Sequence, residues 1–151
     1  MERCEGKPRV SDGGALVDAL RARVAYTWSH FVFVNNPVFD NNAIPGAPAH
    51  YITTELRYDH NSGFWIAPGV EIVPQGYFVN SANTVRTPTY TLFNVKLGFD
   101  YKPWNLGIFF EGRNLTDKRF VSAVNVDDAS GNYFFPGDQR GFYGSVAWRW
   151  K

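Results

Sequence analysis

The chain has 151 residues, enough for one domain with a sizeable core, and its net charge of +1 leaves no electrostatic case for nucleic acid or an acidic partner. Charged residues make up 19% and aromatics 17%, a low and a high share for a soluble domain. The single cysteine, Cys4, excludes an internal disulfide framework, and no run reaches the roughly 18 apolar residues of a membrane helix, so bulk properties alone favour a cytosolic β-rich domain.

Residues 1–18, MERCEGKPRVSDGGALVD, show no periodicity and read as an unpatterned tail, with no apolar core for a secretory signal. From residue 19 the hydropathy alternates with period two, the mark of β-strands. RARVAYTWS (21–29) opposes Ala22, Val24, Tyr26 and Trp28 to Arg21, Arg23, Ala25 and Thr27. YITTELRYD (51–59) opposes Ile52, Leu56 and Tyr58 to Glu55, Arg57 and Asp59. FWIAPGVEIV (64–73) sets Phe64, Ile66, Val70 and Ile72 against Trp65, Ala67, Gly69 and Glu71. TLFNVKLGFDY (91–101) sets Phe93, Val95, Leu97, Phe99 and Tyr101 against Asn94, Lys96, Gly98 and Asp100. WNLGIFFEGR (104–113) places Trp104, Leu106, Ile108 and Phe110 opposite Asn105, Gly107, Glu111 and Arg113. The closing RGFYGSVAWRWK is the sixth segment, with Phe142, Gly144, Val146, Trp148 and Trp150 on one parity. Apart from Arg140, which opens the last segment, every Asp, Glu, Lys and Arg within these segments falls on one face.

The connections alternate between tight and long. HNSG (60–63) and KP (102–103) have turn compositions, whereas roughly 30–50, 74–90 and 114–140 are long and hold Pro37, Pro45, Pro48, Pro74, Pro88 and Pro136. One-sided charge fits a soluble sandwich and a membrane barrel alike, because only the place of the oil differs. Segments of about 9–11 residues suit a tilted strand crossing a bilayer. Aromatics flank the tight turns and the terminus (Tyr58, Phe64, Tyr101, Trp104, Trp148, Trp150) and recur near the long loops (Tyr51, Tyr90, Phe142), like two interfacial girdles. Against the barrel stands Pro68, which removes a ladder hydrogen bond in mid-strand. The alternative is a soluble β-sandwich binding module that uses exposed aromatics, and solubility separates the two.

FFEGRNLTDKRFVSA (109–123) resembles the Asn-Leu-x-Asp-Lys-Arg-aromatic segment near the C-terminus of TonB-dependent outer-membrane receptors, through Asn114, Leu115, Asp117, Lys118, Arg119 and Phe120. FPGDQRGFYGSVAWRW (135–150) resembles that family's final strand, whose alternating aromatic end is recognised by the outer-membrane assembly machinery; here Lys151 follows the last aromatic. IPGAPAHYITTELRYDH (44–60) is similar to a proline-bearing loop and strand several hairpins earlier. The resemblance implies an all-β antiparallel meander of about six long strands over residues 19–151, the C-terminal part of a barrel of about 22 strands. It further implies location in the outer membrane of a Gram-negative bacterium, and TonB-dependent uptake of a ferric siderophore or similarly scarce nutrient. Outer-membrane lipid, a plug domain, the TonB complex and an iron-chelate ligand would be the partners, with no enzymatic activity and no cofactor. No signal peptide, TonB box or plug is recognisable in the 151 residues, and six strands fall short of the roughly eight of the smallest barrels. The expectation is therefore a receptor fragment from a truncated or split gene, incompetent for transport alone.

Other chemistry finds little support in the residues. His30, His50 and His60 lack metal-ligand spacing. VDDASGN (126–132) fails as an EF-hand loop, since aligning Gly131 to the invariant glycine puts Val126 at the first ligand position. No Gly-x-Ser-x-Gly elbow and no glycine-rich phosphate loop is present. On the charged face, Glu55, Arg57, Glu71, Lys96, Glu111, Arg113 and Arg149 would point into a barrel lumen, either to meet a plug or a charged chelate or as a mutually paired polar lining. In the long loops, Tyr77, Phe78, Arg86, Tyr133, Phe134 and Arg140 have the ring and cation chemistry suited to a bulky anionic chelate.

Overall fold

A computed structural model of the chain describes residues 19–131 and 133–150; the tail over 1–18 and Lys151 lie outside the described residues. In chain order the strands are β1 (Leu20–Trp28), β2 (His50–Asp59), β3 (Phe64–Val73), β4 (Tyr90–Tyr101), β5 (Leu106–Arg113), β6 (Val121–Val124), β7 (Phe134–Pro136) and β8 (Gly141–Trp148). The six long ones form a single antiparallel sheet, ordered β1-β2-β3-β4-β5-β8, which does not close on itself and has β1 and β8 as its edges. β6 and β7 make a separate two-stranded ribbon inside the β5–β8 connection.

The register aligns the faces read from the sequence. Val24 pairs with Thr54, Thr54 with Val70, Val70 with Phe93, and farther down Leu97 with Phe110 and Phe110 with Gly144, so one apolar face runs across all six strands. On the opposite face Arg23 pairs with Glu55, Glu55 with Gly69, Gly69 with Asn94, and Lys96 with Glu111. The two faces differ in cover. Val24, Tyr26, Trp28, Phe142, Val146 and Trp148 are each at least 50% exposed, and among the described residues no second long sheet lies over them. A sandwich would bury this face, so the sandwich alternative is not the architecture formed.

Pro68 leaves its expected mark. Pairing between β2 and β3 runs from Ile52↔Ile72 to Glu55↔Gly69 and resumes at Tyr58↔Ile66, with the break at Pro68, while Pro68 still pairs with Val95 on its other side. The ladder absorbs the missing donor as a local gap without losing register. Three boundaries depart from the sequence reading. Trp104 belongs to a 3-10 turn, Lys102–Trp104, closed by Asn105 in the left-handed region (φ 50°), so β5 starts two residues later. β8 ends at Trp148, which leaves Trp150 beyond the strand. The β6–β7 ribbon lies where only a loop was expected, because Val121–Val124 is short and Phe134–Pro136 ends in a proline.

The deepest burial lies at the long-loop end of the sheet. Val73 and Val79 are almost fully buried, joined by Tyr77, Leu92, Ser81, Thr87 and Asn114. At the opposite end the β2–β3 turn is held by Gly63 (φ +91°), whose carbonyl accepts the Asp100 amide at 2.9 Å; a Cβ there would lie 2.3 Å from the Asp100 oxygen. Only glycine fits that approach.

Candidate functional site

The charged face forms a groove of about 490 Å³, and five of the charged residues read from the sequence line it: Glu55, Glu71, Lys96, Glu111 and Arg113. Their pairing is internal. Lys96 Nζ lies 2.8 Å from Glu55 across the intervening strand β3, where Ala67 and Gly69 leave room for the bridge. Arg113 meets Glu111 at 2.9 Å and sits 5.0 Å above the Tyr143 ring. Glu71 accepts the Tyr90 hydroxyl at 3.3 Å, and the Tyr90 ring packs 4.8 Å from Phe120. Arg23, opposite Glu55 in register, also lines the groove but makes no ion pair among the described residues. Its place on the charged parity of β1 was the signal for it.

Arg57 and Arg149 stand apart from the groove. Arg57 bonds Asp59 at 2.8 Å and lies 4.0 Å over the Trp65 ring, which in turn tilts against Phe109 at 5.9 Å. Gly98 makes room for that stack, since a Cβ there would sit 2.6 Å from the Trp65 ring. Trp65 and Phe109 were not singled out from the sequence; a tryptophan on the charged parity opposite a glycine is the pattern that marks them. Arg149 lines a second cavity at the turn end of the sheet.

The Asn-Leu-x-Asp segment is a structural clamp. Asn114, 3% exposed and with φ 48°, donates Nδ2 to the carbonyls of Lys118 (2.9 Å) and Asp138 (3.1 Å), and its Oδ1 accepts the Lys118 amide (2.8 Å). Leu115 donates its amide to the Phe93 carbonyl at 2.8 Å, and Asp117 accepts the Arg140 amide at 2.9 Å just before β8. Phe120 packs over Gly137, where a Cβ would meet its ring at 2.2 Å. Lys118 and Arg119 are exposed. Of the final-strand residues, Phe142, Gly144, Val146, Trp148 and Trp150 are all exposed, with Trp148 and Trp150 edge-on at 5.4 Å.

The three long loops are fastened to one another. Asn83 Oδ1 accepts the Ala43 amide at 2.8 Å while its Nδ2 donates to the Ala43 carbonyl at 2.9 Å, tying the first loop to the second. Asp127 accepts the Ser81 amide at 2.7 Å and the Ser81 hydroxyl at 2.5 Å, tying the third to the second. Those two donors hold the Asp127 carboxyl below the usual carboxylate range. Asp128 accepts from the Ser130 amide at 2.7 Å, and also from the Ser130 hydroxyl and the Asn125 side chain. Among the loop residues read for chelate capture, Tyr77 is buried, which pushes its phenol up, and Arg86 lies 3.9 Å over Phe78 while bonding the Gly76 carbonyl. Tyr133 packs edge-on against the exposed Phe134 at 6.3 Å. The histidines are dispersed: His50 Nδ1 lies 2.8 Å from the Tyr26 hydroxyl, His60 Nδ1 2.8 Å from the Ser62 hydroxyl, and His30 stacks on Trp28.

Comparison with known proteins agrees with this geometry. The family model described as "TonB dependent receptor-like, beta-barrel" matches residues 11–115. The chain is 30% identical over 141 residues to the Ferrioxamine B receptor of Salmonella typhimurium strain SL1344, covering 88% of this chain and 19% of that protein. Among solved structures, the ferric citrate transporter FecA in its unliganded form superposes with a TM-score of 0.74 at 19% identity, covering 84% of this chain and 20% of its own. The ferric-catecholate import receptor Fiu from E. coli K12, in its closed form, gives 0.68 at 21% identity over 87% of this chain and 19% of its own. BauA, the ferric preacinetobactin receptor from Acinetobacter baumannii, gives 0.69 at 17% identity over 88% and 20%. The chain thus spans about a fifth of the length of the relatives it matches.

Proposed function

The chain belongs to the TonB-dependent receptor β-barrel family, and we propose that it forms part of the wall of an outer-membrane barrel that takes up a ferric siderophore or similarly scarce nutrient. The observation that carries this reading is the contrast between the two faces of one sheet. The face through Val24, Phe142 and Val146 is apolar and uncovered, and in water that arrangement is unfavourable. Each such side chain moved into hydrocarbon gains about 1.5–3 kcal/mol. The other face is a groove of paired charges, which suits a hydrated lumen. On this reading the 60–63 and 102–105 turns face the periplasm, and the fastened long loops face outward.

The six-stranded sheet has two open edges, whose backbone groups cost several kcal/mol each when left unpaired in lipid. Further strands must therefore pair with β1 and β8 in the membrane, with a plug and the TonB complex supplied as in a full-length receptor. In such a barrel Glu55, Glu71, Lys96, Glu111 and Arg113 line the lumen, mainly as a paired polar wall, with Arg23 as the cation left for a plug or a chelate. The likeness to the Ferrioxamine B receptor makes ferrioxamine B the first chelate to try. The test is fractionation of the native host, followed by uptake of radioactive ferric ferrioxamine B with the gene intact and deleted. The chain is expected in the outer-membrane fraction, soluble only with detergent, with reduced uptake on deletion. A soluble 17 kDa monomer that melts cooperatively would overturn the proposal.

A further inference from the structure

The apolar face has a pocket of its own at the long-loop end of the sheet, about 300 Å³ in volume. Ile72 and Thr91 line it, a registered pair lying two residues beyond Val70↔Phe93 on the same parity. Pro74 and Thr89 continue that parity past the strand ends, and Lys118 of the third loop closes one side. The pocket shares no lining residue with the charged groove, and no Asp or Glu borders it. A second cation stands nearby. Asp117 accepts the Arg140 amide at 2.9 Å, which brings the approach to β8 against the segment that carries Lys118. Arg140 lies on the parity of Phe142, while its neighbour Gln139 lines the groove on the other face. Lys118 and Arg140 are exposed, and among the described residues neither side chain makes an ion pair or a hydrogen bond. Between β4, beside Lys118, and β8, below Arg140, lies only β5, so the two positions stand about two strand spacings apart, roughly 10 Å.

We propose that this corner of the apolar face binds the headgroup of a diphosphorylated glycolipid of the outer leaflet, a disaccharide with a phosphate at each end, as in lipid A. The inference rests on the membrane reading above, which turns this face to lipid and the long loops outward. Lys118 supplies three N–H donors and Arg140 a planar fork, and each set holds the oxygens of one phosphate. Their separation is about the span of a disaccharide. An ammonium-bearing headgroup gains nothing here, since no carboxylate lines the pocket to accept from it. Ile72 and Pro74, with Val70 and Phe93 deeper on the same face, offer the acyl chains an apolar wall. Basic residues at a membrane boundary hold anionic headgroups in this way.

The test is native mass spectrometry of the protein purified in mild detergent from the outer membrane of its host. The probes are equal amounts of diphosphoryl lipid A, monophosphoryl lipid A and phosphatidylethanolamine. Diphosphoryl lipid A should be retained several-fold over the monophosphoryl form, and phosphatidylethanolamine least. Lys118→Ala or Arg140→Ala alone should bring the diphosphoryl form down to the monophosphoryl level, and the two together should bring both to the phosphatidylethanolamine level. Lys118→Arg with Arg140→Lys should keep the order. Lys102→Ala with Arg149→Ala, at the far end of the sheet, should leave it unchanged. Equal retention of the three lipids, an order that survives Lys118→Ala with Arg140→Ala, or an equal loss in the Lys102 and Arg149 variant overturns the site while leaving the membrane reading intact. A chain absent from the outer-membrane fraction overturns both.

Discussion

Lys96 and Glu55 meet at 2.8 Å across β3, and they can do so only because β3 offers Ala67 and Gly69 beneath the bridge. The pair is partly exposed, 41% and 27% by side chain, so its own worth is small, about 0–1 kcal/mol. The space that admits it matters more. Ala67 is 3% exposed, and Ala67→Leu would overpack the site at about 1–3 kcal/mol. We therefore expect Ala67→Leu to lower the urea midpoint of the lipid-reconstituted protein clearly more than Lys96→Met does. Equal effects would show that the ion pair, and not the packing, dominates.

Asn114 is expected to be the least replaceable residue of the third loop. Asn114→Ala leaves the Lys118 and Asp138 carbonyls and the Lys118 amide without their partner, at about 1–3 kcal/mol for each buried group left unpaired. It also forces an alanine to φ 48°. Asn114→Gly relieves the backbone and still loses the side chain, so it should fall between wild type and alanine. Thermal unfolding of the series checks the order, and an alanine variant as stable as glycine would count against the backbone contribution.

Asp127 gives the loop cluster a pH dependence of definite sign. The Ser81 donors depress its carboxyl in the folded state, so their stabilisation is present above the ordinary carboxylate value of about 4 and is lost as pH falls through the depressed one. Exchange protection of the Val79 and Ser81 region, corrected for intrinsic rates, should be flat from pH 7 to about 5 and decline below the ordinary carboxylate value. Asp127→Asn should lower the protection near neutrality and flatten its acid dependence. A decline unchanged in that variant would place the titrating group elsewhere.

The sheet was legible in the sequence because six segments kept period two with charge on one parity, and that parity survives pairing from Arg23↔Glu55 to Lys96↔Glu111. Strand ends were less legible. Trp104 and Trp150 continue the alternation, yet a 3-10 turn takes the first and β8 stops before the second. The site was only half visible. Side-chain parity marks the groove, but the loop fastening joins Ser81 to Asp127 and Ala43 to Asn83, contacts 46 and 40 residues apart that no local pattern announces. The burial of Asn114 was hidden for the same reason, since Asp138 lies 24 residues beyond it.

The sign of one substitution separates the membrane from any aqueous setting. Val146 is 70% exposed in the middle of β8, on the apolar face, opposite Ile108. In water a long cation there would be neutral or helpful, since it covers oil with charge. At mid-bilayer the same change costs about 2–4 kcal/mol. Ser145, one residue earlier and opposite Phe109, points to the charged face, where an arginine meets a polar environment. Val146→Arg should therefore sharply reduce the fraction of protein inserted into lipid vesicles, measured by protease protection, while Ser145→Arg leaves it near wild type. If Val146→Arg inserts as well as wild type, or if Ser145→Arg is the damaging one, the apolar face does not meet lipid.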